Sequence, residues 1–262
     1  MQCGSNNRVI IAAAVLLSVS VGPLAQAQTS SISVSFTVNL PQICQQLSGL
    51  VPNTISENPG RQCLQWGVYK GPPATCTGNG NTLQVQAEIS YRAGQRCGVL
   101  GVGQASCGFD SDPIKHARIQ LSSPITWNSN YSVNAQPTAS FNLVDPCNVT
   151  IANIDMRSFI QSKAQRVINN LNNSLPGIVA RSTNFQPKAA QLWSELLKPV
   201  KILQNPSLWL SIHPRALTAS APKIVDNNVV LTMALQADPQ IIESQTSPAP
   251  DVQPLPPLRV GP

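Results

Sequence analysis

The chain has 262 residues, of which only 11% are charged, and carries a formal net charge of +6 at pH 7. Its Lys and Arg are scattered, without a basic run and without aromatics interleaved among them, which excludes the footprint of a nucleic-acid binder. Sparse charge with abundant Gln, Asn, Ser and Thr suits an exported β-rich protein better than a cytosolic enzyme.

At the N-terminus, Arg8 precedes an apolar run from Val9 to Val21, and Ala25-Gln26-Ala27 supplies the small-x-small pattern of a cleavage site. Residues 1–27 therefore read as a secretory signal peptide, giving an expected location in the bacterial periplasm or outside the cell. The run is shorter than the roughly 20 residues a bilayer span wants, and no later stretch approaches that length. No transmembrane span is expected after cleavage. Cys3 lies ahead of the apolar run, so it is not placed as a lipoprotein cysteine. Six cysteines remain, Cys44, Cys63, Cys76, Cys97, Cys107 and Cys147, and an even set in an exported chain predicts disulfides whose pairing stays open. The preferred local bridge is Cys97–Cys107, across a Gly-rich loop that otherwise lacks anything to hold it. A zinc site is disfavoured, because there is no C-x-x-C and His116 and His213 lie far from any cysteine pair. No metal and no other cofactor is expected.

After the leader, Ile32, Val34, Phe36 and Val38 alternate with polar residues, the mark of a half-buried strand. Asn39-Leu40-Pro41 then opens a short helix with Ile43, Leu47, Leu50 and Val51 on one side, stopped by Pro52. Period-two alternation returns at Leu83–Tyr91, Ala117–Leu121 and Ala139–Leu143. Between Asp155 and Val179 the period changes. Met156, Phe159, Ile160, Ala164, Val167, Ile168, Leu171 and Leu175 recur at three- and four-residue steps against a polar face, predicting a long amphipathic helix with Asp155 as N-cap. Pro176-Gly177 should kink or end it.

Pro187 opens a second short helix, with Ala189, Leu192, Trp193, Leu196 and Leu197 as its apolar stripe, and Pro199 closes it. Strands resume at Leu208–Ile212 and Val229–Ala237. Gly78-Asn79-Gly80-Asn81 and Asp226-Asn227-Asn228 are hairpin punctuation. From Ser247 the proline-rich, aperiodic tail reads as extended linker rather than core. Clean alternation argues for antiparallel strands with one apolar face. The predicted fold is α+β: a strongly curved antiparallel sheet wrapped around one long amphipathic helix, with two shorter helices. It should form one domain over residues 28–246, followed by the tail at 247–262.

Several segments carry a resemblance. CLQW from Cys63, YRAG from Tyr91, DPCNV before the long helix, LWSELLKPV, SLWLSIHPRAL and ADPQI together resemble the bacterial Domain of Unknown Function 4403 family, across essentially the whole mature chain. The most specific part is the pair of tryptophan-bearing segments, each bounded by proline. The resemblance implies the fold of the tubular lipid-binding proteins, in which a curved sheet and a long helix enclose an apolar tunnel. It also implies that this chain covers only the first of two similar halves, being either a naturally short member or a truncated reading frame.

Candidate chemistry is thin. His213-Pro214-Arg215 offers a base and an anion clamp at a strand end, but no carboxylate lies near it in sequence, so a structural turn is preferred. Asp110-Ser111-Asp112 resembles the start of a calcium loop without its Gly and distal Glu, and reads as a solvated turn. No G-x-S-x-G orders a nucleophile. The four tryptophans, Trp66, Trp127, Trp193 and Trp209, are more readily core than recognition. The expectation is an exported, non-enzymatic protein that binds lipid or another apolar small molecule in a tunnel lined by Phe159, Ala164, Ile168, Leu171 and Trp209. The alternative is a structural module of the cell envelope with a filled core, meeting a protein partner through the tail or a sheet edge.

Overall fold

A computed structural model describes residues 30–59, 64–95, 105–147 and 156–260. The leader at 1–27, Cys63, Cys97 and the Asp155 N-cap lie outside the described residues. The architecture is mixed α+β, with mostly antiparallel strands and one long helix. The elements run β1 (Ser30–Asn39), α1 (Leu40–Gly49), β2 (Thr54–Pro59), β3 (Leu64–Lys70), β4 (Thr75–Asn79), β5 (Thr82–Gln95), β6 (Ala105–Cys107), β7 (Lys115–Trp127), β8 (Val133–Ala135) and β9 (Thr138–Leu143). They continue with α2 (Met156–Ser182), α3 (Gln186–Leu196), β10 (Val200–Leu203), β11 (Leu208–Ala219), β12 (Lys223–Val225), β13 (Asn228–Glu243) and β14 (Arg259–Val260). Among the described residues the strands form two sheets, one ordered β1-β13-β11-β10 and one ordered β2-β3-β5-β7-β8, with short strands added beside these paths.

The chain divides into two compact units. The first combines residues up to 38, 126–134 and 180–262. Its backbone is the long antiparallel pair β11 and β13, joined in register from Leu208↔Glu243 to Ala219↔Met233 with one irregularity between Pro214 and Ala216. β12 and β13 form a hairpin whose two turn residues, Asp226 and Asn227, both have positive φ, at 48° and 61°. That is the backbone a two-residue primed turn demands, and Asp and Asn tolerate it better than other side chains bearing a Cβ.

The tail, expected as extended linker rather than core, reaches the core of the first unit. It stays extended, but Leu258 is buried and Leu255 packs on the cluster of Trp193, Leu197, Leu235 and Ala237. The indole Nε1 of Trp193 donates to Gln253 O, the Tyr131 hydroxyl donates to Pro256 O, and Leu258 N donates to Ser129 O. β14 finally pairs in parallel with β11 at Thr218↔Arg259. Prolines remove tail N–H groups, so the carbonyls and a few leucines carry the docking.

The second unit comprises residues 39–125 and 135–179. Here α2 buries Ile160, Ala164, Val167, Ile168, Leu171 and Leu175, the stripe its period dictates, while Arg166, Asn169, Asn170 and Asn173 stay exposed. Pro176 does not end the helix, which runs on to Ser182. Loss of one backbone bond at Pro176 is tolerated where Ile178 and Val179 bury the following turn. In β3, the Tyr69 ring lies over Gly67: a Cβ there would fall 2.2 Å from the Tyr69 hydroxyl, so a side chain would displace the ring.

Two disulfides lie among the described residues, Cys44–Cys76 and Cys107–Cys147. The second corrects the expected Cys97–Cys107 bridge. Sheet register, not nearness in sequence, selects the partner. β6 places Cys107 opposite Ala93, and the segment holding Cys147 follows β9, which pairs with β7. The result is a Cα–Cα distance of 5.9 Å, within the range a disulfide spans.

Candidate functional site

A wholly apolar opening lies within the first unit. β1 contributes Ile32, Val34 and Phe36, three residues at period two and so on one face of the strand. α3 contributes Ala189, Leu192, Trp193 and Leu196, whose three- and four-residue steps form one helical stripe. Leu217 of β11 and Met233 and Leu235 of β13 complete the wall. The pocket encloses about 170 Å³. All ten lining residues are apolar, so no titratable group, hydroxyl or amide side chain faces a ligand.

Its walls are held from behind. Phe36 stacks against Phe185 with ring centroids 4.8 Å apart. The Trp193 indole is fixed by its 3.0 Å bond to Gln253 O, which satisfies the one polar atom of that ring and leaves its apolar surface for the pocket. Leu192 remains 46% exposed although it lines the opening, as expected of a residue at a mouth rather than a core. An engineered cavity of about 150 Å³ lined by Leu, Ile and Phe stays dry and takes up benzene, so a pocket of this size and chemistry can hold a ring or a short run of methylenes. It is too small for a whole two-chain lipid, because pockets for drug-sized ligands start near 300 Å³.

None of the five residues expected to line a tunnel lines this pocket. Ala164, Ile168 and Leu171 are buried in the second unit. Phe159 is half-buried there, edge-on to Trp66 at 5.6 Å, with the Lys163 ammonium 5.1 Å from its ring and 4.6 Å from that of Trp66. Trp209 belongs to the first unit. Its Nε1 donates to Ser244 O at 3.0 Å and Lys201 lies 5.6 Å from its ring. The lining residues were legible as apolar stripes of the first strand, the second short helix and the last strand, yet a stripe alone does not separate a filled face from a hollow one. Leu217 gave less signal, since the alternation marks β11 only as far as Ile212.

The polar candidates resolve into structural roles. His213 has a carboxylate partner from far along the chain: Asp251 comes from the tail, with Oδ2 3.6 Å from Nδ1. Ser211 Oγ lies 3.5 Å from Nε2 of the same ring. Both separations exceed the roughly 2.6–3.2 Å of a close proton-relay contact, and Ser211 is buried, at 5% exposed. The set therefore ties the tail to β11, helped by Asp251 N donating to Leu197 O. Arg215 pairs with Asp238 across the β11–β13 ladder. In the second unit, Asp112 accepts from Gly108 N and Lys115 Nζ, both at 2.7 Å, and Asp110 has φ 56°. That is a turn closed by its own protein partners. Asp145 accepts from His116 Nδ1 at 2.7 Å, which is the largest influence holding its carboxyl below the usual range. Burial pushes Tyr91 and Tyr131 up to about 12.

Among the described residues no group of three or more His, Cys, Asp or Glu could hold a metal, and no helix is long and apolar enough to cross a membrane.

The family model described as Domain of unknown function (DUF4403) matches residues 28–262. The chain belongs to this family. No curated protein matches the sequence of this DUF4403 member. Among solved structures it is similar to a crystal structure of lipopolysaccharide binding protein, at 10% identity and a TM-score of 0.28. That match covers 80% of this chain and 51% of the other, so the DUF4403 chain spans about half the length of that protein. At that score the likeness transfers neither fold nor ligand.

Proposed function

We propose that this DUF4403 protein is an exported, non-enzymatic binder of lipid or a comparable apolar molecule, with a fold of the tubular lipid-binding type. The observation that carries the reading is the pocket of β1, α3, β11 and β13, whose lining is wholly apolar. Apolar surface that a ligand removes from water contributes about 25 cal/mol per Å², so such a site needs no polar anchor to bind. Its size favours one acyl chain end or one ring, with the remainder of the ligand outside. The two disulfides fit an oxidising compartment, which supports export.

The test is titration with a fluorescent fatty acid, followed by displacement with unlabelled fatty acids of increasing length. Saturable micromolar binding that strengthens with chain length and then levels off is expected. Failure of every chain length to displace the probe would remove the reading, leaving the envelope interaction module.

A further inference from the structure

Within the second unit, α2 and β9 flank a different kind of cleft, of about 340 Å³. Thr138 and Ser140 line it from β9, and Gln161, Gln165, Asn169 and Asn172 line it from α2. The helix residues recur at steps of four, four and three, which stacks four primary amides along one helical face. Every one of these six side chains is uncharged, and each both donates and accepts hydrogen bonds.

Two details give the cleft direction. Gln165 Nε2 donates to Asn169 Oδ1 at 2.9 Å, so neighbouring amides are already oriented. Asn172, whose Oδ1 is buried without a hydrogen-bond partner, also lines the cleft.

The lining selects among ligand classes. A cation would want carboxylates, and α2 carries none along its length. An anion would want a cation in the lining, and none of the residues lining the cleft is charged. An apolar ligand would leave the six polar side chains without partners. A neutral ligand bearing several hydroxyls matches, since each hydroxyl pairs with an amide as donor and acceptor, and the apolar Phe141 and Ile168 also line the cleft.

We propose that this cleft binds a neutral sugar residue, held by the β9 hydroxyls and the α2 amides. The site is separate from the apolar pocket and stands or falls independently of it.

Ligand-observed saturation-transfer NMR on the full mature chain tests it, with glucose and N-acetylglucosamine as probes at millimolar concentration and inorganic phosphate as the charged comparison. At least one sugar should give a signal, and phosphate should not compete with it. Asn172→Leu and the exposed Gln165→Ala should each weaken sugar binding about tenfold, the loss expected for one hydrogen bond. Gln165→Ala, on the helix surface, keeps the test valid if Asn172→Leu does not fold. The fatty-acid titration should be unchanged in both variants. Absence of signal from both sugars overturns the proposal. Undiminished sugar binding in folded Gln165→Ala and Asn172→Leu, or displacement of the sugar by phosphate, overturns it equally.

Discussion

Ala189→Phe is the most direct perturbation of the apolar pocket. Ala189 is 7% exposed and stands on the α3 stripe beside Trp193, so a ring built there points into the space of about 170 Å³ that a ligand would use. Burying an apolar group of ring size is worth about 1.5–3 kcal/mol. Denying the ligand that space should weaken its binding by roughly 10- to 150-fold, at about 1.4 kcal/mol per factor of ten. The fold should survive, because the ring enters existing space; where the fit is imperfect, overpacking costs about 1–3 kcal/mol. The assay is competitive displacement of a fluorescent fatty acid, with urea unfolding of the same samples to establish that the variant is native. Val225→Phe, at a 49% exposed position on β12 outside the pocket, serves as the control and should bind like the wild type. A folded Ala189→Phe protein whose Kd stays at the wild-type value would refute the placement of the ligand.

Further outcomes follow from the second unit. Leu171 is 1% exposed on α2 while Asn170 faces solvent, so Leu171→Asp should cost about 3–5 kcal/mol and Asn170→Asp less than about 0.5 kcal/mol in urea unfolding. Equal midpoints would show the helix face misassigned. Non-reducing peptide mapping should link Cys44 to Cys76 and Cys107 to Cys147. With sequence separations of 32 and 40, loop closure sets a ceiling near 3.7 and 3.9 kcal/mol for the two bridges, so Cys44→Ser with Cys76→Ser should cost about 2–4 kcal/mol. Asp145 has its folded pKa below the unfolded value near 3.8, so its stabilisation is present above that value and is lost as pH falls through the depressed one. The Tm difference between wild type and Asp145→Asn should therefore shrink as pH is lowered from about 6 to about 3, and a difference independent of pH would contradict the His116 contact as its source.

Much of this architecture is written in period. Where one face of a strand is buried, as in β5, β7 and β13, alternation shows plainly, and α2 announces itself because its stripe is buried for several turns. Several of the strands that escape have faces that are not cleanly distinguished. β10 is exposed at every residue, β4 at nearly every one, and β3 is interrupted by Gly67 under the Tyr69 ring. The docking of the tail is illegible for another reason: its main anchors are backbone carbonyls, of Gln253 and Pro256, whose partners Trp193 and Tyr131 lie far off in sequence. The same distance hides Asp251 from His213 and Cys147 from Cys107. As for the pocket, Ile32, Val34, Phe36, Ala189, Trp193 and Leu235 all read as apolar faces. That those faces leave space between them depends on packing volumes, which no pattern of polar and apolar residues encodes.

The central claim is that an apolar molecule occupies the pocket of β1, α3, β11 and β13. Native mass spectrometry of protein purified gently from a membrane-bearing host, followed by organic extraction of the same sample, tests it most directly. A bound mass is expected that extraction releases as a fatty acid, a lipid or another apolar compound, and that is diminished in Ala189→Phe. A wild-type protein that flies at its bare mass, and that then fails to take up added fatty acids or phospholipids at micromolar concentration, would contradict it.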